Sequence, residues 1–235
     1  MSNTILITSG CSFTETRIEK TWPVWLAKRL ATKETIHTGL SCQGNGMISR
    51  KVIHAVHEAL KTESAKDIIV GITWSGPSRH EQYTTDKSKF PTKNINGWID
   101  NPTTFVKDDP GGWVIYNSYW DIPQAIHYYR HTYDETYSQI QTLEHIIRTQ
   151  NYFKLHKIKY FMNTYMNEVF AVKDKACDHL YEQIDYNQFL QKEGMMEWSK
   201  KTGLASHSDT LHPSADQHEL FVDQVIMPFL NRQDN

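Results

Sequence analysis

"TILITSGCSFTE", residues 4–15, joins a short apolar, β-branched run to a turn in which a cysteine and a serine follow a glycine. Residues 4–8 read as a buried strand, and its end at Gly10 leaves a thiol and a hydroxyl at the exit. Next along the chain, "TWPVWLAKRLA" (21–31) sets Trp22, Trp25, Leu26 and Leu30 at helical spacing. Pro23 falls in the first turn, where its missing N–H costs nothing. "TIHTGL" (35–40) is a second strand that opens into the loop "SCQGNG". "MISRKVIHAVHEALK" (47–61) keeps Ile48, Val52, Val56 and Ala59/Leu60 on one helical face, and "DIIVGITW" (67–74) is the clearest strand of the chain. Strand, helix, strand, helix, strand is the pattern of a parallel sheet with right-handed crossovers. Ligands of such sheets sit beyond the carboxyl ends of the strands, which is where "GCS", "SCQGN" and "TWSG" all fall.

Residues 75 to about 133 break this rhythm with prolines, glycines, many tyrosines and the tryptophans Trp98, Trp113 and Trp120. A loop of this length is uncommon unless it is functional, so the segment reads as a lid or cap with some helix near 119–131. Helix then returns over 135–156, a fourth strand over 158–165, short helices over 174–201 and a closing helix over 214–230. The expected organisation is a single domain, 1–235, with a lid-like insertion at about 75–133.

Bulk properties narrow the function classes. A formal net charge of −2 gives no general nucleic-acid footprint and no strong pull toward anionic membranes. The N-terminus lacks the charged start and apolar stretch of a signal peptide, and no segment approaches the roughly 20 apolar residues of a membrane span. Cytoplasmic localisation is therefore expected. The three cysteines, Cys11, Cys42 and Cys177, cannot all pair and have no metal-type spacing. The pairs His54/His57 and His127/His131 lie at helical spacings but without the glutamate or cysteine partners of a zinc site. They read as surface histidines, and no metal or cofactor is expected.

The tail "SDTLHPSADQHELF" supplies the chemistry. Asp209 and His212 are three residues apart, just ahead of Pro213 and the last helix. A tight turn at that spacing can hold a carboxylate against one imidazole nitrogen and leave the other free to accept a proton. Such an imidazole is what Ser12 would need to act as a nucleophile. The plainer reading of both motifs is a helix cap and a turn. Cys11 is an alternative nucleophile by chemistry, although neighbours on a strand-end turn point in different directions.

Taken together, Gly10-Cys11-Ser12-Phe13 after the first strand and Asp209-x-x-His212-Pro213-Ser214 before the last helix resemble the SGNH (GDSL-type) hydrolase family. The run "GCSFT…TWPVWLAKRL" with the tail "HPSADQHELFVDQVIMPFL" looks like a subgroup common in phage and large-virus genomes. The resemblance implies a three-layer α/β/α sandwich on a parallel, flavodoxin-like sheet. It also implies a serine ester hydrolase with Ser12 as nucleophile, His212 as base and Asp209 as its orienting partner. The implied substrate is a small acyl ester, such as an O-acetyl group on a carbohydrate. No nucleic-acid or membrane partner is implied, and the oligomeric state stays open.

Three departures stand out. Cys11 replaces the usual aspartate of Gly-Asp-Ser. Loop two reads "SCQGNG", so its oxyanion donor is the amide of Cys42 or of Gly44, beside the amide of Ser12. The third block reads Gly71-Ile72-Thr73-Trp74, without the asparagine that normally donates to the oxyanion. Asn45 is the candidate replacement, with Thr73 behind it; Asn45 reads equally as a helix N-cap. Trp74 and Arg79 sit at the mouth of the expected cleft, Arg79 either holding a substrate carboxylate or phosphate or pairing with Glu81. The tryptophans of the insertion either stack on sugars or pack on one another. The missing asparagine leaves open a second class of function: a catalytically degenerate protein of the same fold that binds glycans.

Overall fold

The computed structural model describes residues 3–16, 20–85, 98–99, 112–118, 123–206 and 212–233. Its strands are β1 (Ile5–Gly10), β2 (Glu34–His37), β3 (Ile68–Trp74), β4 (His80–Thr84), β5 (Trp98–Ile99), β6 (Gly112–Tyr116) and β7 (Lys159–Thr164). Its helices are α1 (Trp22–Leu30), α2 (Asn45–Ala59), α3 (Pro123–His131), α4 (Glu135–Leu155), α5 (Asp178–Tyr181), α6 (Met195–Ser199), α7 (Ala215–Phe221) and α8 (Met227–Gln233). A π-helical turn over Val222–Ile226 joins the last two.

β1, β2, β3 and β7 form an all-parallel sheet in the order β2-β1-β3-β7. Every residue of β1 and β3 is buried, as the continuous apolar runs of central parallel strands require. The flanking layers can be assigned from side-chain direction. Ser9 Oγ donates to the Ile48 carbonyl of α2 at 3.4 Å. Gly71, whose neighbour Ile72 pairs with Ser9, faces Trp22 of α1, and a Cβ there would sit 2.6 Å from the indole. Successive strand residues face opposite sides, so α1 and α2 cover opposite faces. α4 lies beside α2, linked by the hydroxyls of Ser49 and Thr149 at 2.6 Å. α7 lies beside α1, where the Trp22 N–H donates to His218 Nδ1 at 3.2 Å. Outside this contact, Arg29 makes ion pairs to Glu219 and Asp223 at 2.8 Å. The result is the three-layer α/β/α sandwich expected from the sequence, with Leu6, Ile7, Val70, Phe161 and Phe221 in its core.

Between β3 and α3, where a lid or cap with some helix near 119–131 was expected, the chain also forms strands. β4, β6 and β5 form an antiparallel sheet in that order, with His80 opposite Tyr116 and Thr84 opposite Gly112. The aromatic and β-branched residues of β6 suit a pleated, half-buried surface. The ring of Trp113 stacks under the Arg50 guanidinium at 3.8 Å, so this tryptophan packs against α2. Trp120 and the side chain of Trp98 lie outside the described residues. Trp74 is fully buried, which corrects its expected place at a cleft mouth. As the last residue of a central strand it belongs to the core.

Candidate active site

The exit from β1 is a tight turn. The amides of Thr14 and Glu15 both donate to the Cys11 carbonyl, at 2.9 and 3.1 Å. Gly10 allows it, because a Cβ there would come within 2.3 Å of Thr14 Oγ1 and 2.8 Å of the Thr73 carbonyl. Cys11 and Phe13 point into the core, whereas Ser12 at the apex is partly exposed. The thiol is thus sequestered and the hydroxyl is presented.

The tail returns to the same place. Ser214 caps α7 with a capping box: its hydroxyl accepts from the Gln217 N–H at 3.4 Å, and its own N–H donates to Gln217 Oε1 at 2.9 Å. This rigid start holds His212, two residues upstream, so that its Nε2 lies 2.8 Å from Ser12 Oγ. The partners are 200 residues apart in sequence. Phe13 backs the imidazole at a ring distance of 5.1 Å, and Tyr165 meets Phe13 edge-on at 5.4 Å. Asp209 lies outside the described residues.

Sequence reading missed several groups that hold this arrangement. Glu15, buried below the turn, accepts from the N–H and hydroxyl of Ser41, tying the β1 turn to the loop after β2. Gln43 donates to the Gly10 carbonyl at 3.1 Å and accepts from Lys51 Nζ at 3.2 Å. His218 is fully buried behind His212, and burial, with His212 adding a smaller push, drives its pKa down to about 3. It therefore stays neutral and accepts from Trp22. Its helical spacing with Phe221 and Val222 was the available signal: a histidine on the apolar face of an amphipathic helix.

Two of the expected oxyanion donors of loop two, Gly44 and Asn45, are engaged elsewhere. Asn45 gives both amide hydrogens away, to the Ser75 carbonyl at 2.8 Å and Thr142 Oγ1 at 3.1 Å, and accepts from the Ser75 N–H at 2.8 Å. It braces α2 against the end of β3, and Gly44 rather than Asn45 is the N-cap residue. The Gly44 amide donates to the buried carboxylate of Glu81, which also accepts from Met47 N–H and Arg50 at 3.0 Å each. Glu81 thus pairs with Arg50 and not with Arg79. The Ser12 N–H, by contrast, has no acceptor among the described residues. Cys42 holds a left-handed conformation, φ 63°, within the same loop. Arg79 donates to the Gln43 carbonyl at 3.3 Å and lies over the Tyr165 ring at 5.3 Å.

The chain is thus a parallel α/β/α sandwich with a serine–histidine contact at the carboxyl end of its first strand. Residues 7–235 match the model of a family of unknown function, DUF6071, and the chain belongs to that family. No curated protein matches. Among solved structures, the chain is similar to a member of the lipolytic protein G-D-S-L family from Veillonella parvula DSM 2008. Identity is 9%, coverage 94% of each chain and the TM-score 0.46. Among the described residues no helix is long and apolar enough to cross a membrane, and no group of three or more His, Cys, Asp or Glu side chains is placed to hold a metal ion.

Proposed function

We propose that this protein is a serine ester hydrolase acting on small acyl esters, such as O-acetyl groups of a carbohydrate. The observation that carries the reading is the 2.8 Å approach of His212 Nε2 to Ser12 Oγ. In the proposed cycle His212 takes the Ser12 proton as Oγ attacks the ester carbonyl. The tetrahedral oxyanion is met by the Ser12 N–H, the alcohol leaves with the proton from His212, and an acyl-enzyme remains. Water, deprotonated by His212, then releases the acid. Asp209 is assigned to the other imidazole nitrogen, where it would fix the tautomer and stabilise the cation. Neutral His218 serves this chemistry by placing no second positive charge behind the imidazolium. Gly44 and Asn45 are left out of the oxyanion hole, their donors being engaged.

That same engagement favours one competing reading, a degenerate sandwich that binds glycans without turning them over. The two part on p-nitrophenyl acetate. Hydrolysis by the wild type that falls at least about 10³-fold in Ser12→Ala supports the enzyme. Equal rates in the two proteins defeat it.

A further inference from the structure

A polar cavity of about 150 Å³ lies between the first turn of α2, the start of β4 and one face of α4. Arg50, Arg79, His80, Glu81, Gln141 and His145 are among its walls. Gly46 marks the point on which they converge. A Cβ there would come within 2.7 Å of Glu81 Oε2, 3.0 Å of His145 Nε2 and 3.1 Å of Arg50 Nη1.

Two guanidiniums line it, those of Arg50 and Arg79; a third, that of the exposed Arg148, acts on His145 from outside its walls. Glu81 is already divided among Arg50, the Met47 N–H and the Gly44 N–H. Arg148 directs Nε and Nη2 to one hydroxyl, Ser49 Oγ, at 3.2 and 2.8 Å. Glu168, the other nearby carboxylate, faces Arg79 and takes the Tyr165 hydroxyl. Among the described residues, neither Arg79 nor Arg148 hydrogen-bonds a carboxylate. Of the two, Arg79 is half-buried; such a guanidinium is costly unless an anion answers it, and its forked donors match carboxylate and phosphate. The ring nitrogens of His145 have no partner among the described residues. Burial, then Arg148 and Arg50, hold its pKa near 4, so it is neutral and can donate to a ligand.

We infer that this cavity binds a small oxyanion, a carboxylate or phosphate group, clasped between Arg79 on one side and Arg50 and His145 on the other. The group is either a free anion or the anionic end of the ester substrate. The second source rests on the hydrolase reading, and side-chain contacts link the two places: Arg79 lies over Tyr165, Tyr165 meets Phe13, and Phe13 backs His212.

The test is an NMR titration of the His145 ring with inorganic phosphate at constant ionic strength, in wild type and in Ser12→Ala. Both proteins are expected to show a saturable shift and an upward move of the His145 pKa, because the bound anion offsets the two arginines. Arg79→Gln should weaken binding about tenfold or more, the loss expected for a charged hydrogen bond. If that variant does not fold, Gln141→Leu removes a polar wall from α4 and should weaken binding in the same direction. The absence of a saturable shift at tens of millimolar phosphate, or full binding in the folded variant, overturns the site. Competitive inhibition of ester hydrolysis by phosphate, with a preference for anionic esters that Arg79→Gln abolishes, assigns the site to substrate. Inhibition that is not competitive assigns it to a free anion. Phosphate binding without Ser12-dependent turnover would refute the hydrolase reading alone.

Discussion

At the β1 exit, the alternation of side chains around one turn decides which of two adjacent nucleophiles meets solvent. Cys11 is buried and Ser12 stands at the apex, so Cys11→Ala should keep the rate per folded molecule within about threefold. Ser12→Ala should lose at least about 10³-fold. Steady-state kinetics on the two variants makes the comparison. Behind this pair, His218 is the acceptor for the Trp22 N–H. His218→Phe leaves that buried donor unanswered and should lower stability by about 1–3 kcal/mol, read from the urea midpoint. A smaller loss would mean that the indole-bearing helix can shift to find another acceptor.

At the level of elements, the N-terminus of α2 is the junction on which the sheet, the insertion and α4 meet. Asn45 bonds across it to Ser75 and Thr142, and Glu81 neutralises the positive end of the helix. Asn45→Ala should therefore cost about 1–3 kcal/mol of stability while leaving kcat within about threefold. A donor to the oxyanion would instead lose about 10²–10³ in kcat with little change in stability. Measuring both quantities on one preparation separates the roles. Asn45 also shows where a sequence stops being legible. "GNGMISR" announces a helix start, but the partners of its amide come from 30 and 97 residues away. Local pattern cannot tell a brace from a catalytic donor. β4 and β6 are hidden for the same reason: His80 pairs with Tyr116 across 36 residues of sequence, and β6 packs on Met47 of α2 and Ala125 of α3. By contrast, the strands through Trp74 were plain, because buried parallel strands are written as unbroken apolar runs. The Ser12 and His212 motifs stood out as well, each sitting beside a strand end or helix start that the sequence marks.

For the whole molecule, the buried histidines couple folding to pH. Burial lowers the pKa of His218 from the usual 6.5 to about 3 and that of His145 to about 4. The unfolded chain protonates both below pH 6.5 while the folded chain does not. Their contribution to stability is complete above that pH and is lost as pH falls toward 4, by at most about 1.4 kcal/mol per unit for each. Glu81 and Glu168, whose pKa values burial raises, act in the opposite sense over the acidic range. The clean measurement is a difference: urea unfolding of His145→Gln against wild type from pH 7 to pH 4.5 should show a slope shallower by about one proton. Equal slopes would contradict a neutral, buried His145. The larger dependence is topological, because the fold must carry the first turn of the chain and the cap of α7 to one spot at the end of β1. Labelling with a fluorophosphonate, read by intact mass and peptide mapping, tests this most directly. One adduct is expected on Ser12 in the wild type, with none in Ser12→Ala and almost none in His212→Gln. An unlabelled wild type, or an adduct that persists in Ser12→Ala, would contradict the pairing of Ser12 and His212 as a nucleophile and its base.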